Sequence, residues 1–191
     1  MNPLLDNTTL FSLMRTLQNA RKIVIMGHRG PDGDALGAAL GWAEYLQGLG
    51  KSAIIVMPNP FPDFLRWLPN SEKVIFYDHK RDVARHLIEG TDLICMLDFN
   101  SLHRLQEMGD VVANSKAERL MIDHHLSPDT TCAQTIISHP EMSSTSELVF
   151  RLIYQLGGYE TMTTQGASAL YCGMMTDTGG FTYNSNNPEI Y

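Results

Sequence analysis

Short, uninterrupted apolar runs punctuate this chain. Lys22-Ile-Val-Ile-Met26, Leu93-Ile-Cys-Met-Leu97 and Arg119-Leu-Met-Ile122 are rich in Ile, Val, Leu and Met. Runs of this length predict strands buried on both faces, as in a parallel sheet. Ala53–Met57 predicts another strand, closed by Pro58-Asn-Pro60, Val74–Tyr77 a weak one, and 133–137 an edge strand. Between the strands the apolar residues recur at helical spacing. Leu10, Phe11, Leu13, Met14 and Leu17 predict a helix over 8–20, and Leu36, Leu40, Ala43 and Leu46 one over 34–48, with Asp34 at its N-cap. Further helices are expected near 80–88, from the capping box Ser144-Thr-Ser-Glu147 to about 156, and over 163–176. Strands alternating with helices, without an internal repeat, predict an α/β fold. It is expected as one doubly wound, mainly parallel sheet with helices on both faces, spanning 1–191.

The polar residues gather where the apolar runs stop. His28-Arg-Gly-Pro-Asp32-Gly-Asp34 follows the first run, Asp98 the second, and Asp123-His124-His125 the third, while Asp177 ends the 163–176 helix. In an open parallel sheet, ligands bind beyond the carboxyl ends of the strands, so these groups are expected to converge at one edge. His and Asp together offer one kind of nitrogen and several oxygen donors. That mixture suits Mn²⁺, Co²⁺, Fe²⁺ or Mg²⁺ better than a Cys-rich structural zinc site. Taken singly, each segment has a plainer account. Pro31-Asp-Gly33 could be a turn, Asp98 the N-cap of the next helix, and the His pair a polar loop. For Asp177, a place at a helix C-terminus, where cations are favoured, fits a metal-binding carboxylate.

Composition narrows the partners. The chain has 191 residues, 43% hydrophobic, which suits a packed core, and a formal net charge of −7. That charge argues against sequence-independent binding of duplex DNA, which needs a basic face. A bound metal pair would reverse the local field and still admit a short phosphorylated substrate. No secretory signal and no membrane-length apolar stretch stand out. Cys95, Cys132 and Cys172 are scattered and odd in number. They read as reduced core thiols, and a cytoplasmic protein is expected.

Taken jointly, His28-x3-Asp32-x-Asp34, Asp98, Asp123-His124-His125 and Asp177 resemble the motifs of the DHH phosphoesterase family. Pro31-Asp-Gly-Asp-Ala-Leu-Gly37 and Thr176-Asp-Thr-Gly-Gly-Phe181 are similar to its branch of oligoribonucleases, phosphoadenosine-phosphate phosphatases and cyclic-dinucleotide phosphodiesterases. The resemblance implies two divalent ions, Mn²⁺ foremost with Mg²⁺ or Co²⁺ as alternatives. His28, Asp32 and Asp98 would hold one, and Asp34, Asp98, His124 and Asp177 the other, with Asp98 bridging. His125 would act on the substrate, and Asp123 would orient a histidine that holds metal. Arg104 resembles a basic family residue that touches substrate phosphate, although a solvated helix arginine fits it equally. Ser144 and Thr145 resemble a family Ser-Thr segment that the capping box already explains. His79, His86, His103 and His139 match no motif.

The implied activity is hydrolysis of phosphate esters in oligoribonucleotides, phosphoadenosine phosphate or linear and cyclic dinucleotides, so the partner is a small nucleotide or short single-stranded RNA. Inorganic pyrophosphatase or exopolyphosphatase activity is the alternative enzyme reading. The Gly-Gly-Gly-His-type motif of the family's C-terminal substrate-binding domain is not found in these residues, so that domain is expected to be absent from this chain. A metal- or phosphate-binding module without turnover is therefore a third expectation. Faces that would meet that domain could be exposed and allow a homodimer.

Overall fold

The computed structural model describes residues 2–190; the ends of the expected 1–191 domain, Met1 and Tyr191, lie outside the described residues. Six strands form one sheet: β1 (Lys22–Met26), β2 (Ser52–Met57), β3 (Ile75–Phe76), β4 (Leu93–Leu97), β5 (Glu118–Asp123) and β6 (Thr135–Ser138). Their order is β3-β2-β1-β4-β5-β6, and every pairing is parallel. The helices are α1 (Asn7–Asn19), α2 (Gly33–Gly48), α3 (Arg81–Glu89), α4 (Glu107–Asn114), α5 (Thr145–Gln155) and α6 (Thr164–Asp177).

Alternation within the strands builds two cores. Ile23 and Ile25 of β1 pack with buried residues of α1, α2, α5 and α6. Val24 and Met26 face the other way, with Ala84 and Ile88 of α3 and Val111 and Val112 of α4. Continuous apolar strands follow directly, because each face of the sheet is covered. From β1 the chain steps outward to β2 and β3, then returns to β4 on the other side of β1 and proceeds to β6. The loops after β1 and β4 therefore diverge, and a crevice opens between them at the carboxyl edge.

The expected elements are present, with shifts of local meaning. The expected weak strand at 74–77 narrows to Ile75–Phe76, and the expected 133–137 strand is the edge strand Thr135–Ser138. The N-cap of α2 is Asp32, not Asp34: the Asp32 side chain accepts from the backbone N–H groups of Asp34 and Ala35. Asp98 caps no helix. It has φ 64°, a left-handed conformation uncommon for a residue with a Cβ, and the next helical turn, Leu102–Leu105, has Ser101 as its N-cap. Arg104 therefore sits on a 3₁₀ turn. Cys95, Cys132 and Cys172 are buried and unpaired with one another. Among the described residues, no helix is long and apolar enough to cross a membrane.

Candidate metal centre

Four elements deliver the polar cluster to one crevice. The loop after β1 carries His28, which is buried. Its Nε2 lies 3.4 Å from Asp98 Oδ2 and 3.8 Å from Asp32 Oδ2. Burial disfavours its charge, but the Asp32 and Asp98 carboxylates outweigh that and raise its pKa to about 10. Asp34 stands in the first turn of α2, 1% exposed. Because Asp32 does the capping, the Asp34 carboxylate is free to point inward. There Oδ2 accepts from Thr145 N at 2.7 Å and Oδ1 from Ser146 N at 2.8 Å.

Asp98 follows β4 and is 2% exposed. Its backbone N–H donates to the Ile122 carbonyl of β5, so the last step of sheet pairing fixes the unusual turn. Its Oδ1 accepts from Thr145 Oγ1 at 3.0 Å. His124, after β5, has its Nδ1 3.3 Å from the Met142 carbonyl, which favours a proton there and leaves Nε2 as a donor to a metal. His124 Nε2 lies 3.6 Å from Asp98 Oδ1, 3.4 Å from Asp177 Oδ2 and 3.9 Å from Asp34 Oδ2. Asp177 comes from the last turn of α6.

His125 turns a different way. Its Nδ1 is 2.8 Å from Asp123 Oδ1, and its side chain is 37% exposed. The hydrogen bond to Asp123 raises its pKa, and the charge of Asp98 adds to this while that of Arg104 opposes it. Asp123 itself is wholly buried, and its Oδ2 has no hydrogen-bond partner among the described residues. Asp123 is thus placed to orient His125 rather than His124.

The candidate ligand atoms form triads, in each of which they lie within 4.8 Å of one another: His28, Asp32 and Asp98; Asp34, His124 and Asp177; Asp98, His124 and His125. Electrostatics support a cation here. Burial, then the charge of Asp34, pushes the pKa of Asp98 well above the usual carboxylate range. Burial raises Asp34 too, and burial with the Asp34 charge raises Asp177 to about 6. Carboxylates this close, with so little water, fit one or more divalent ions whose charge would let them all ionise together.

Nearly the whole chain matches known proteins. The family described as the DHH family, N-terminal domain, matches residues 22–174. The chain belongs to the DHH family. An exopolyphosphatase-related protein from Bacteroides fragilis has a solved structure that aligns with a TM-score of 0.97 and 48% identity, over 100% of this chain and 56% of that one. The bifunctional oligoribonuclease and PAP phosphatase NrnA of Thermus thermophilus is 31% identical over 88% of this chain and 47% of its own length. The cyclic-di-AMP phosphodiesterase GdpP of Geobacillus thermodenitrificans is 28% identical over 92% of this chain and 28% of its own. The chain thus spans about half, or less, of the length of the curated relatives it matches. On this DHH-family domain the crevice brings together His28, Asp32, Asp34, Asp98, His124 and Asp177, with His125 and Asp123 beside them. Arg104 lies at its margin, its carbonyl accepting from Arg29 N and its charge felt at His125.

Sequence reasoning missed what Thr145 and Ser146 do. The capping box gave the segment a sufficient local account, and the N-cap Ser144 does accept from Glu147 N. The N–H groups of Thr145 and Ser146 also donate to the Asp34 carboxylate, and the Thr145 hydroxyl donates to Asp98. The available signal was the run of four hydroxyl residues, Ser143–Ser146, at the start of a helix.

Proposed function

We propose that this domain is the hydrolytic part of a Mn²⁺-dependent phosphoesterase acting on short nucleotides: oligoribonucleotides, phosphoadenosine phosphate, or linear or cyclic dinucleotides. The observation that carries the reading is the division of Asp98. Its Oδ2 faces His28 and its Oδ1 faces His124, so one carboxylate joins two sets of donors. In this reading His28, Asp32 and Asp98 hold one ion, and Asp34, Asp98, His124 and Asp177 hold the other. Such a pair would lower the pKa of a bound water and supply positive charge for the transition state of phosphoryl transfer. The mixed imidazole and carboxylate set suits Mn²⁺.

The chain's own groups do the rest. Thr145 and the amides opening α5 fix the carboxylates of Asp98 and Asp34, so the ligand geometry is set before substrate arrives. Asp123 holds His125 by Nδ1, which turns Nε2 away from Asp123, where it can give a proton to a leaving alkoxide or hydrogen-bond a phosphoryl oxygen. Arg104 adds positive charge for a substrate phosphate. Similarity to the T. thermophilus NrnA and G. thermodenitrificans GdpP favours nucleotide esters. Similarity to the exopolyphosphatase-related protein of B. fragilis keeps polyphosphate hydrolysis as the second reading.

The test is metal content and turnover in the wild type and Asp98→Asn. Two Mn²⁺ ions per chain are expected in the wild type, with hydrolysis of a dinucleotide, and loss of both in the variant. Full metal occupancy in Asp98→Asn would overturn the bridging role. Cleavage of pyrophosphate or polyphosphate without cleavage of any nucleotide would replace the substrate reading.

A further inference from the structure

Most of the buried charge of this chain gathers in the crevice. Of the buried Asp, Glu, His, Lys and Arg side chains among the described residues, His28, Asp34, Asp98 and Asp123 belong to it. The others are Glu147 and Arg151, each 3% exposed and paired with one another on α5. Spaced four apart, they share one face of the helix. A buried ion pair is a poor source of stability, because desolvation cancels much of the attraction and apolar residues of similar volume often serve as well. What such a pair can fix is geometry, since its hydrogen bonds are all made in one arrangement only.

Here that geometry is divided oxygen by oxygen. Glu147 Oε1 accepts from Arg151 Nε at 2.9 Å and from Arg151 Nη2 at 2.6 Å. That leaves Oε2 to accept from the Ser143 N–H at 2.9 Å and from Ser143 Oγ at 2.6 Å. In an ordinary capping box the glutamate reaches the N–H of the N-cap itself, which is Ser144. Glu147 reaches one residue further back, and so closes a loop from Ser143 to Glu147. Inside that loop stand Thr145 and Ser146, whose N–H groups donate to the two oxygens of Asp34, and the Thr145 hydroxyl, which donates to Asp98. Arg151 is fixed in turn, its Nη1 donating to Glu189 Oε2 at 2.6 Å.

We infer that the Glu147–Arg151 pair positions the carboxylates of the metal centre. By tying Ser143 to Glu147 it sets the first turn of α5, and that turn sets the carboxylates of Asp34 and Asp98. Glu147 and Arg151 are positioning residues that act through Thr145 and Ser146. The inference rests on the reading of the crevice as a metal centre and carries the support of its ligands back into the body of α5.

The test separates positioning from stability. In the double variant Glu147→Leu/Arg151→Met an apolar pair replaces the ionic one, so the metal-free chain should melt within about 5 °C of the wild type. Mn²⁺ affinity, measured by titration calorimetry, should nevertheless fall about 10- to 100-fold, the usual cost of losing an outer partner of a metal ligand. Amide hydrogen exchange of the metal-free chain gives a second readout. The Thr145 and Ser146 N–H groups should exchange at least about tenfold faster, while those of Leu152 and Ile153, in the body of the helix, stay close to their wild-type rates. Arg151→Lys keeps the charge and loses the guanidinium fork, so it should show both effects more weakly, with about a threefold loss of affinity. It decides the question if the double variant fails to fold. Unchanged Mn²⁺ affinity in a folded variant, or faster exchange spread evenly along α5, would overturn the inference. If the wild-type chain binds no Mn²⁺, the metal-centre reading falls, and exchange at Thr145 and Ser146 alone decides whether the pair sets the Asp34 carboxylate.

Discussion

At the residue scale, the geometry hinges on side chains that hold other side chains. Thr145 Oγ1 donates to Asp98 in a site that water scarcely reaches. Thr145→Val keeps the shape and removes the donor. Metal affinity, read by titration with Mn²⁺, should fall about 10- to 100-fold with the fold retained. Asp123 acts on His125 in the same indirect way. In Asp123→Asn the amide can donate to Nδ1 and lock a neutral imidazole with its proton on Nε2, and the carboxylate that favours the charged, proton-giving form of His125 is gone. The expected result is a kcat reduced on the order of 10²-fold with metal content unchanged. A loss of metal would instead make Asp123 a ligand. His28, Asp32, Asp98 and the Asp-His-His triplet were legible in the sequence because each stands where a buried strand ends. Thr145 was not, because a hydroxyl at a helix start has a sufficient local explanation. Nor was the left-handed backbone of Asp98, which depends on its N–H reaching Ile122 of a neighbouring strand.

At the element scale, the placing of Asp34 shows what local pattern leaves open. Asp32 and Asp34 both suit an N-cap. The choice is made by α5, whose first amides bind the Asp34 carboxylate and leave Asp32 to cap α2. The approach of α6 to α2 is set by glycine. Gly33, Gly37 and Gly41 recur every fourth residue and so share one face of α2. A Cβ at Gly37 would overlap the Ala169 carbonyl oxygen of α6 and stand 3.0 Å from Gly173 N, whereas one at Gly41 would stand 2.5 Å from Cγ and Cδ2 of the buried Leu170 side chain. Gly→Ala in a helix gains about 1 kcal/mol from propensity, and overpacking costs about 1–3 kcal/mol. Backbone against backbone cannot yield, while the buried Leu170 can yield only by repacking, so Gly37→Ala should be destabilising by about 2 kcal/mol and Gly41→Ala by less, about 1 kcal/mol, as measured by urea unfolding. Because α2 carries Asp34 and α6 carries Asp177, Gly37→Ala should also weaken Mn²⁺ binding. Equal stability of the two variants would show that the seam is not tight.

At the scale of the whole molecule, the alternation of strands and helices disclosed the fold class, and the strand-end rule disclosed the edge at which the histidines and carboxylates gather. The order β3-β2-β1-β4-β5-β6 was not legible, because periodicity says that a strand is buried on both faces and not which strand lies beside it. That order matters for stability as well as for chemistry. It presses Asp34 and Asp98 into one crevice, with Asp177 half-buried beside them, and their mutual repulsion is a load the rest of the fold carries. An ion that binds only the folded state reverses that load. At a free concentration 100 times its dissociation constant it stabilises by about 2.7 kcal/mol. For a chain of this size each kcal/mol moves the melting temperature by roughly 2–4 °C. Calorimetry of the chelator-treated chain should therefore show a rise of about 5–10 °C for each ion bound, or about 10–20 °C for two, when Mn²⁺ is added to that level. Ca²⁺, which prefers more oxygen ligands at longer distances, should give a smaller rise. Asp98→Asn should begin from a higher melting temperature without metal, because it removes a buried charge, and should respond little to Mn²⁺. A variant that starts lower and still responds fully would show that Asp98 stabilises the crevice by hydrogen bonding alone, with no share in holding the ions.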